Sequence, residues 1–525
     1  MSAVYRPLQA LFLIAALTGC GDGAVVGPDV DGSAVVASSR VVLNPTGLSP
    51  LAARVELTTT EPVSVEVTVP GRDGPETDVR HRFEGVATTH RLPVLGLYPN
   101  SENEIVLAFT STSGQPLGRT SLSVTTAPLP PDMPQVRIDV PAGDIAPGMN
   151  LVNYYGHNST VSPQRPFMFD RAGRIRWLLT FSASPALSGL FFDNGIKVLA
   201  NGNLFFGDKN TDAIYEVDRL GTVVRQWPLP GYGFHHSIAE KPNGNFVVTV
   251  DKLGAATVED YLIEIDRASG AIVTEWNLNR SLQATRRAWP TSLANLDVDW
   301  FHANAVVYDP TDDTIIVSGR TQGVVKLTRD NRVVWILAPH KDWGRAGDGT
   351  DLTGLLLQPL DAAGRPITDP AVLRGDTPHP DFEWAWYQHS PTLMPDGRLM
   401  LFDNGENRHY GGQGLYSRAV VYRIDASART IRQVWQYGKE RGTETFSRIV
   451  SGADFLAPER NVLFMPGSVR SNGDYGKMVE VDYDTRQVVF EATVLPPIAP
   501  FGVTFHRVLR VPMYPPGRAA GDPPA

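Results

Sequence analysis

From residue 40 to 127 apolar and polar positions alternate. Val63, Val65, Val67 and Val69 are one such series; Leu92 with Val94, and Ile105, Leu107 and Phe109, are others. A period of two predicts antiparallel strands with one face toward solvent. Pro-Gly and Asp-Gly turns divide them, and a small immunoglobulin-like β-sandwich fits. From about residue 150 a second pattern takes over. An acidic or polar residue, a turn, two β-branched residues and then an aromatic recur: Asp170 to Trp177, Asp218 to Trp227, Asp266 to Trp276, Lys326 to Trp335, Asp425 to Trp435 and Asp482 to Phe490. Copies spaced roughly 40 to 90 residues apart, with apolar runs in fours, predict blades of four strands. An array of β-sandwiches would not give runs in fours. The expected architecture is all-β, a six-bladed β-propeller over residues 150–515 preceded by the sandwich over 40–127. Residues 128–149, rich in proline at their start, are expected to be a stiff linker.

The repeat places three histidines. His236 is followed by Pro242 and an Asn243-Gly244 turn, and His389 by Pro395 and an Asp396-Gly397 turn. His302 leads a parallel stretch with its turn at Thr311-Asp312-Asp313. Each opens an innermost strand, so all three gather at one mouth of the channel. The ends of the second strands reach the same mouth and bring Asp251, Arg320 and Asn404 into equivalent places. Blade two offers Asn194 and Lys209 there. Imidazoles with an arginine, and no convergent carboxylates in view, suit a group with tetrahedral anionic oxygens. Histidine can also move protons or attack as a nucleophile. A three-histidine metal shell is the rival reading, which Arg320 opposes because it repels a cation. A propeller that only binds an anion or a partner protein is the other.

Composition narrows this. The 525 residues carry 47 Lys+Arg against 56 Asp+Glu, a formal charge of −9, with no basic patch suited to nucleic acid. Cys20 is the only cysteine, so no intrachain disulfide and no thiolate metal site can form. It closes Leu17-Thr18-Gly19-Cys20 after a short apolar run from Leu8, which reads as a lipoprotein signal over 1–20 with a lipobox. Residues 21–39 are then a flexible tether. The expected location is the periplasmic side of a membrane, more readily the outer one, held by a lipid on Cys20.

Four stretches resemble the bacterial aryl-sulfate sulfotransferases, the family that works without a nucleotide sulfate donor. They are Phe234-His235-His236 with Asn243-Gly244-Asn245; Asp299-Trp300-Phe301-His302 through to Arg320; Trp335-Ile336-Leu337 with His340 and Trp343; and Trp386-Tyr387-Gln388-His389 through Asn404-Gly405. Gly96-Leu97-Tyr98-Pro99-Asn100 resembles the family's sandwich domain. The resemblance implies ping-pong transfer from an aryl sulfate donor to a phenolic acceptor, with no cofactor and no metal. It implies His389 as the nucleophile that becomes a sulfohistidine. It implies His302 and Arg320 as ligands of the sulfuryl oxygens, and His236 as a proton shuttle. His235 is expected to point away, in a structural role. Asn404, Lys209 and His506 are further substrate-binding candidates. Asp403 and Asn404 either orient His389 or fill a turn, and His506 either faces the channel or packs. Gly344 to Pro380 is expected to be a lid over the mouth.

Overall fold

The computed structural model describes residues 31–154, 165–181, 184–188, 190, 196–208, 212–287, 289, 291–411, 414–469, 474–497 and 502–515. Cys20, Asn194 and Lys209 lie outside the described residues. The chain is all-β. Five strands, Val36–Leu43, Ala53–Val69, Val79–Val94, Glu102–Ser111 and Pro116–Thr125, form the first domain. The long second strand binds the first along its early part and the fourth along its later part, so one sheet folds over on itself. Its bend falls at a register shift between Thr58 and Val63, next to Pro62, which lacks the donor a continuous ladder would use. The alternating valines of its second half are fully buried.

Six sheets of the propeller follow. Blade one joins Phe505–Val511 to Met149–Tyr154, Phe167–Phe169 and Ile175–Leu178. Blades two, three and four are consecutive four-strand meanders over 197–228, 232–277 and 303–337. Blades five and six cover 389–437 and 452–495. The C-terminal strand is thus the innermost strand of blade one, and its ladder with Met149–Tyr154 closes the ring. Closure removes the open edges that an array of sheets would leave.

The recurring aromatic of the sequence has a specific job. Trp177 Nε1 donates to Arg219 O at 2.7 Å, Trp227 to Arg267 O at 2.9 Å, Trp276 to Thr328 O at 2.9 Å and Trp435 to Tyr483 O at 2.7 Å. Each acceptor lies in the outer hairpin turn of the next blade. The aromatic and the turn of the repeat are therefore two halves of one clasp between neighbours.

Two expected boundaries differ. The presumed linker contains the strand Gln135–Val140, which pairs with Val488–Leu495 as a fifth strand of blade six. Its alternating Val136 and Ile138 pack on the core, and that burial outweighs the stiffness of the flanking prolines. The presumed tether is ordered from Asp31, with a short turn at Gly32–Val35 and the strand from Val36. Two stretches of the expected lid are tied to blade five and to the segment that leads into it. Gln358–Pro359 adds in parallel to Thr430–Ile431 at the edge of blade five. Pro370–Arg374 packs beside Trp384, whose Nε1 donates to Val372 O at 2.8 Å.

The clasps make a prediction. Trp435→Phe keeps the stack on Tyr483 but leaves Tyr483 O buried and unpaired. It should lower unfolding stability by about 1–3 kcal/mol. A denaturant melt should show the midpoint falling while the slope stays constant.

Candidate active site

Each histidine sits where an inner strand breaks its pleat. His236 has φ of 58° and His302 of 57°, while Tyr387 (56°) and Ser390 (49°) flank His389. The ladders shift register at the same points, between Phe234 and Ile238, Ala303 and Ala305, His389 and Thr392, and Phe505 and Val508. An added residue turns the side chain off the blade face and toward the axis. His236, His302, His389 and His506 are all buried. The ring centroid of His236 lies 5.1 Å from that of His302 and 5.5 Å from that of His506. His506 thus belongs to the same cluster and is the blade-one member of the repeat. The pair Phe505-His506, like Phe234-His235 and Phe301-His302, is the sequence signal for it. His235 does not point away, because the break at His236 cancels strict alternation. Its ring lies 4.8 Å from that of His236, and its Nε2 is 3.8 Å from Asp251.

Two carboxylates converge on this cluster, against the expectation that none does. Glu259 Oε2 is 2.5 Å from His302 Nδ1 and 3.5 Å from His236 Nε2. Asp299 Oδ2 is 2.8 Å from His302 Nδ1 and 3.8 Å from Arg320. Asp299 was visible three residues before His302. Glu259 has no counterpart in the other repeats, so a repeat argument passes over it. Its loop is fixed from below: Asp251 Oδ1 accepts from Glu259 N at 2.7 Å, and Glu259 O accepts from Ala303 N at 2.8 Å. Asp260 accepts from Trp300 Nε1 at 2.7 Å and so anchors the segment that carries Asp299 and His302.

The electrostatics split the histidines. Burial pushes the His302 imidazole down, but the Glu259 and Asp299 carboxylates outweigh burial and Arg320 and raise it to about 9. His302 is an imidazolium at neutral pH. Glu259 is held well below its ordinary range: burial pushes it up, and the surrounding imidazoles overcome that. His389 goes the other way. Burial and then Arg320 press it well below the ordinary value, so it is neutral. His506 is likewise pushed down by burial and by the neighbouring histidines.

His389 is also locked in one tautomer. Asn404 Nδ2 donates to Ser447 O at 2.8 Å and Val450 O at 3.1 Å, which leaves Oδ1 facing His389 Nδ1 at 2.7 Å. The proton must sit on Nδ1, and the lone pair is left on Nε2. Asn404 therefore orients His389. Asp403 serves the scaffold: it accepts from Trp386 N at 2.8 Å and from Arg408 and Arg418. Arg320 N bonds His302 O at 3.1 Å, and a guanidinium nitrogen bonds Leu293 O at 3.2 Å. Its buried Nε has no hydrogen-bond partner among the described residues.

Two groups among the described residues are close enough to share a cation: His235, His236 and Glu259, and Glu259, Asp299 and His302. Neither includes His389, so they are not the three-histidine shell of the rival reading. In both, a cation would compete with the His302 imidazolium on Glu259, and in the second also with Arg320 on Asp299.

The family profile described as "Arylsulfotransferase (ASST)" matches residues 136–498, and its "Arylsulfotransferase Ig-like domain" matches 40–127. The chain belongs to the arylsulfotransferase family. It is a sulfotransferase enzyme. It is 29% identical to "Arylsulfate sulfotransferase AssT" of Escherichia coli O6:H1, over 87% of this chain and 90% of that protein. The protein of the same name from Lelliottia amnigena is 28% identical over the same shares.

The charge split is testable. Glu259→Gln removes the closest carboxylate, and the His302 titration should fall from about 9 toward the ordinary 6.5. A raised folded-state value means that this ion pair stabilises fully below 6.5 and is lost as pH rises through about 9. Imidazole NMR signals followed against pH read the shift directly. A His302 titration unchanged in Glu259→Gln would assign its charge to Asp299 alone.

Proposed function

We propose that this enzyme carries a sulfuryl group from an aryl sulfate ester to a phenol in two steps, through a sulfohistidine on His389. The observation that carries the reading is the Asn404 amide, which holds the proton on His389 Nδ1 and leaves Nε2 free to attack. In the first step the Nε2 lone pair forms the N–S bond while the S–O(aryl) bond breaks. Positive charge develops on the ring, and Asn404 Oδ1 is already positioned to accept from Nδ1–H. The phenolate leaves and takes a proton. In the second step an acceptor phenol attacks sulfur, the N–S bond breaks, and the proton from the acceptor returns to the site. His302 as an imidazolium and Arg320 as a guanidinium supply fixed positive charge to the sulfuryl oxygens. His236, 5.1 Å from His302 in ring separation, is the group that moves the phenolic proton.

Cys20 is proposed as a lipid-anchored N-terminus, on the strength of the Leu-Thr-Gly-Cys pattern. One chain binds a membrane marginally, so stable anchoring needs a second acyl group on the new amine. Fractionation decides it: recovery in the soluble fraction with a free Cys20 thiol would end the lipoprotein reading alone.

Three variants test the chemistry. Mixed with a chromogenic aryl sulfate and no acceptor, the parent should release about one phenol per chain in a burst and gain a sulfuryl mass at His389. His389→Ala should show neither; near-normal transfer by that variant would overturn the sulfohistidine assignment. Arg320→Lys should lose roughly 100- to 1000-fold in kcat, because charge is kept but the fork of donors is lost. Asn404→Leu should lower kcat with little change in KM, since the ring remains but its tautomer is free.

A further inference from the structure

Beyond the histidines, the inner strands run on to the opposite mouth of the channel, and a second set of cations waits there. Ser390 and Thr392 follow His389, Arg507 follows His506, and Ala239 follows His236 on the same strands. With Lys197 they line a cavity of about 290 Å³ and an adjoining one of about 800 Å³. Lys197, Thr392 and Arg507 belong to both walls.

We propose that this far end is a second oxyanion site, built from Lys197, Arg507 and Thr392, that binds a compact dianion of the sulfate or phosphate class.

Three observations converge. Among the described residues neither cation forms an ion pair, and the bond Arg507 makes is a long one, 3.4 Å to Ser237 Oγ. The nearby carboxylates are mostly engaged elsewhere. Glu240 accepts from Arg267 at 2.8 Å and Ala200 N at 2.7 Å, and Asp309 is bound to Lys326 at 2.7 Å. Asp454 is the remaining acid on the smaller cavity. It accepts from Phe455 N at 2.9 Å and is a single carboxylate facing two cations. Finally, the Thr392 hydroxyl is buried with no hydrogen-bond partner among the described residues. An ammonium, a guanidinium fork and a spare hydroxyl around one space match tetrahedral oxygens. Two partly buried cations side by side, with Asp454 as the one acid among the described residues on the same cavity, favour an added counter-ion. Burial and the neighbouring Arg507 depress Lys197, which is the strain that an anion would relieve.

The proposal does not rest on the sulfuryl-transfer reading, and the test separates them. Full-length protein is titrated calorimetrically with sodium sulfate, and separately with sodium phosphate, at ionic strength held constant with sodium chloride. Oxyanion binding should persist in Arg320→Met, which disables the catalytic mouth. It should weaken roughly 10- to 100-fold in Lys197→Met and in Arg507→Met, as expected for lost charge-assisted bonds. Thr392→Val should weaken it a few-fold. Thermal melts establish that each variant is folded, and Thr392→Val, nearly isosteric, carries the test should a charge variant unfold. Binding lost in Arg320→Met, or unchanged in both Lys197→Met and Thr392→Val, would overturn the site. A sulfate bound once, lost in Lys197→Met and kept in Arg320→Met, would support it even if the catalytic mouth takes no free sulfate.

Discussion

The mouth of the channel depends on a backbone constraint, the left-handed residue at the head of its inner strands. A regular strand would send alternate side chains onto the two faces of the blade, into the packing between neighbours. A residue near φ of 57°, as at His236 and His302, breaks that alternation and turns the imidazole toward the axis. Such a conformation costs of order 1–3 kcal/mol in a side-chain-bearing residue. The surroundings hold it. Thr249 Oγ1 bonds the backbone of His235 and, at 2.9 Å, the N–H of Ser237. Thr321 Oγ1 bonds Trp300 O at 2.5 Å, and Arg320 N bonds His302 O. Phe301 also needs Gly319 beside it, because a Cβ there would lie 2.5 Å from the phenyl ring.

With the rings gathered, burial presses His302, His389 and His506 toward the neutral form. The carboxylates of Glu259 and Asp299 make one of them an exception. His302 becomes a fixed cation while His389, lacking a carboxylate and facing Arg320, stays neutral with its lone pair exposed on Nε2. Two side chains of the same type thus take opposite protonation states through their neighbours alone, which suits the proposed division between electrostatic support and nucleophile.

Blade five holds His389 in place from behind. Glu383 and Asp403 share Arg408 and Arg418 in a buried network, with Lys439 on the outer side. Arg418 also bonds Glu383 O and Trp384 O, and Asp403 holds Trp386 N. The strand leading into His389 is therefore tied down by charge-assisted bonds on its backbone. Trp289, from the loop before blade four, stacks on Tyr387 with rings 5.9 Å apart and completes the support. Loss of either carboxylate here would leave two buried guanidiniums sharing a single counter-charge, so the network stands or falls together.

The periodicity of the sequence determined the all-β class, the six blades and the register that brings His236, His302 and His389 to one mouth. Those features follow from local alternation and from a repeat, and both are written along the chain. The aromatic of each repeat was legible as a marker, but the function of Trp177, Trp227, Trp276 and Trp435 as clasps to the next blade was not, since each acceptor lies in another copy. Tertiary structure alone decided the carboxylates. Glu259 comes from a strand-to-strand loop without a repeat partner, and it reaches His302 only because blades three and four are adjacent. It also decided that His235 stays at the cluster, because a pleat break is a backbone choice that the alternation rule assumes away. Asn404 was ambiguous in sequence for the same reason. Whether an amide fills a turn or orients a ring depends on which carbonyls surround it, and Ser447 and Val450 belong to the segment leading into the next blade. Patterns with a period survive in one dimension, whereas charges and hydrogen bonds between unlike segments exist only once the ring has closed.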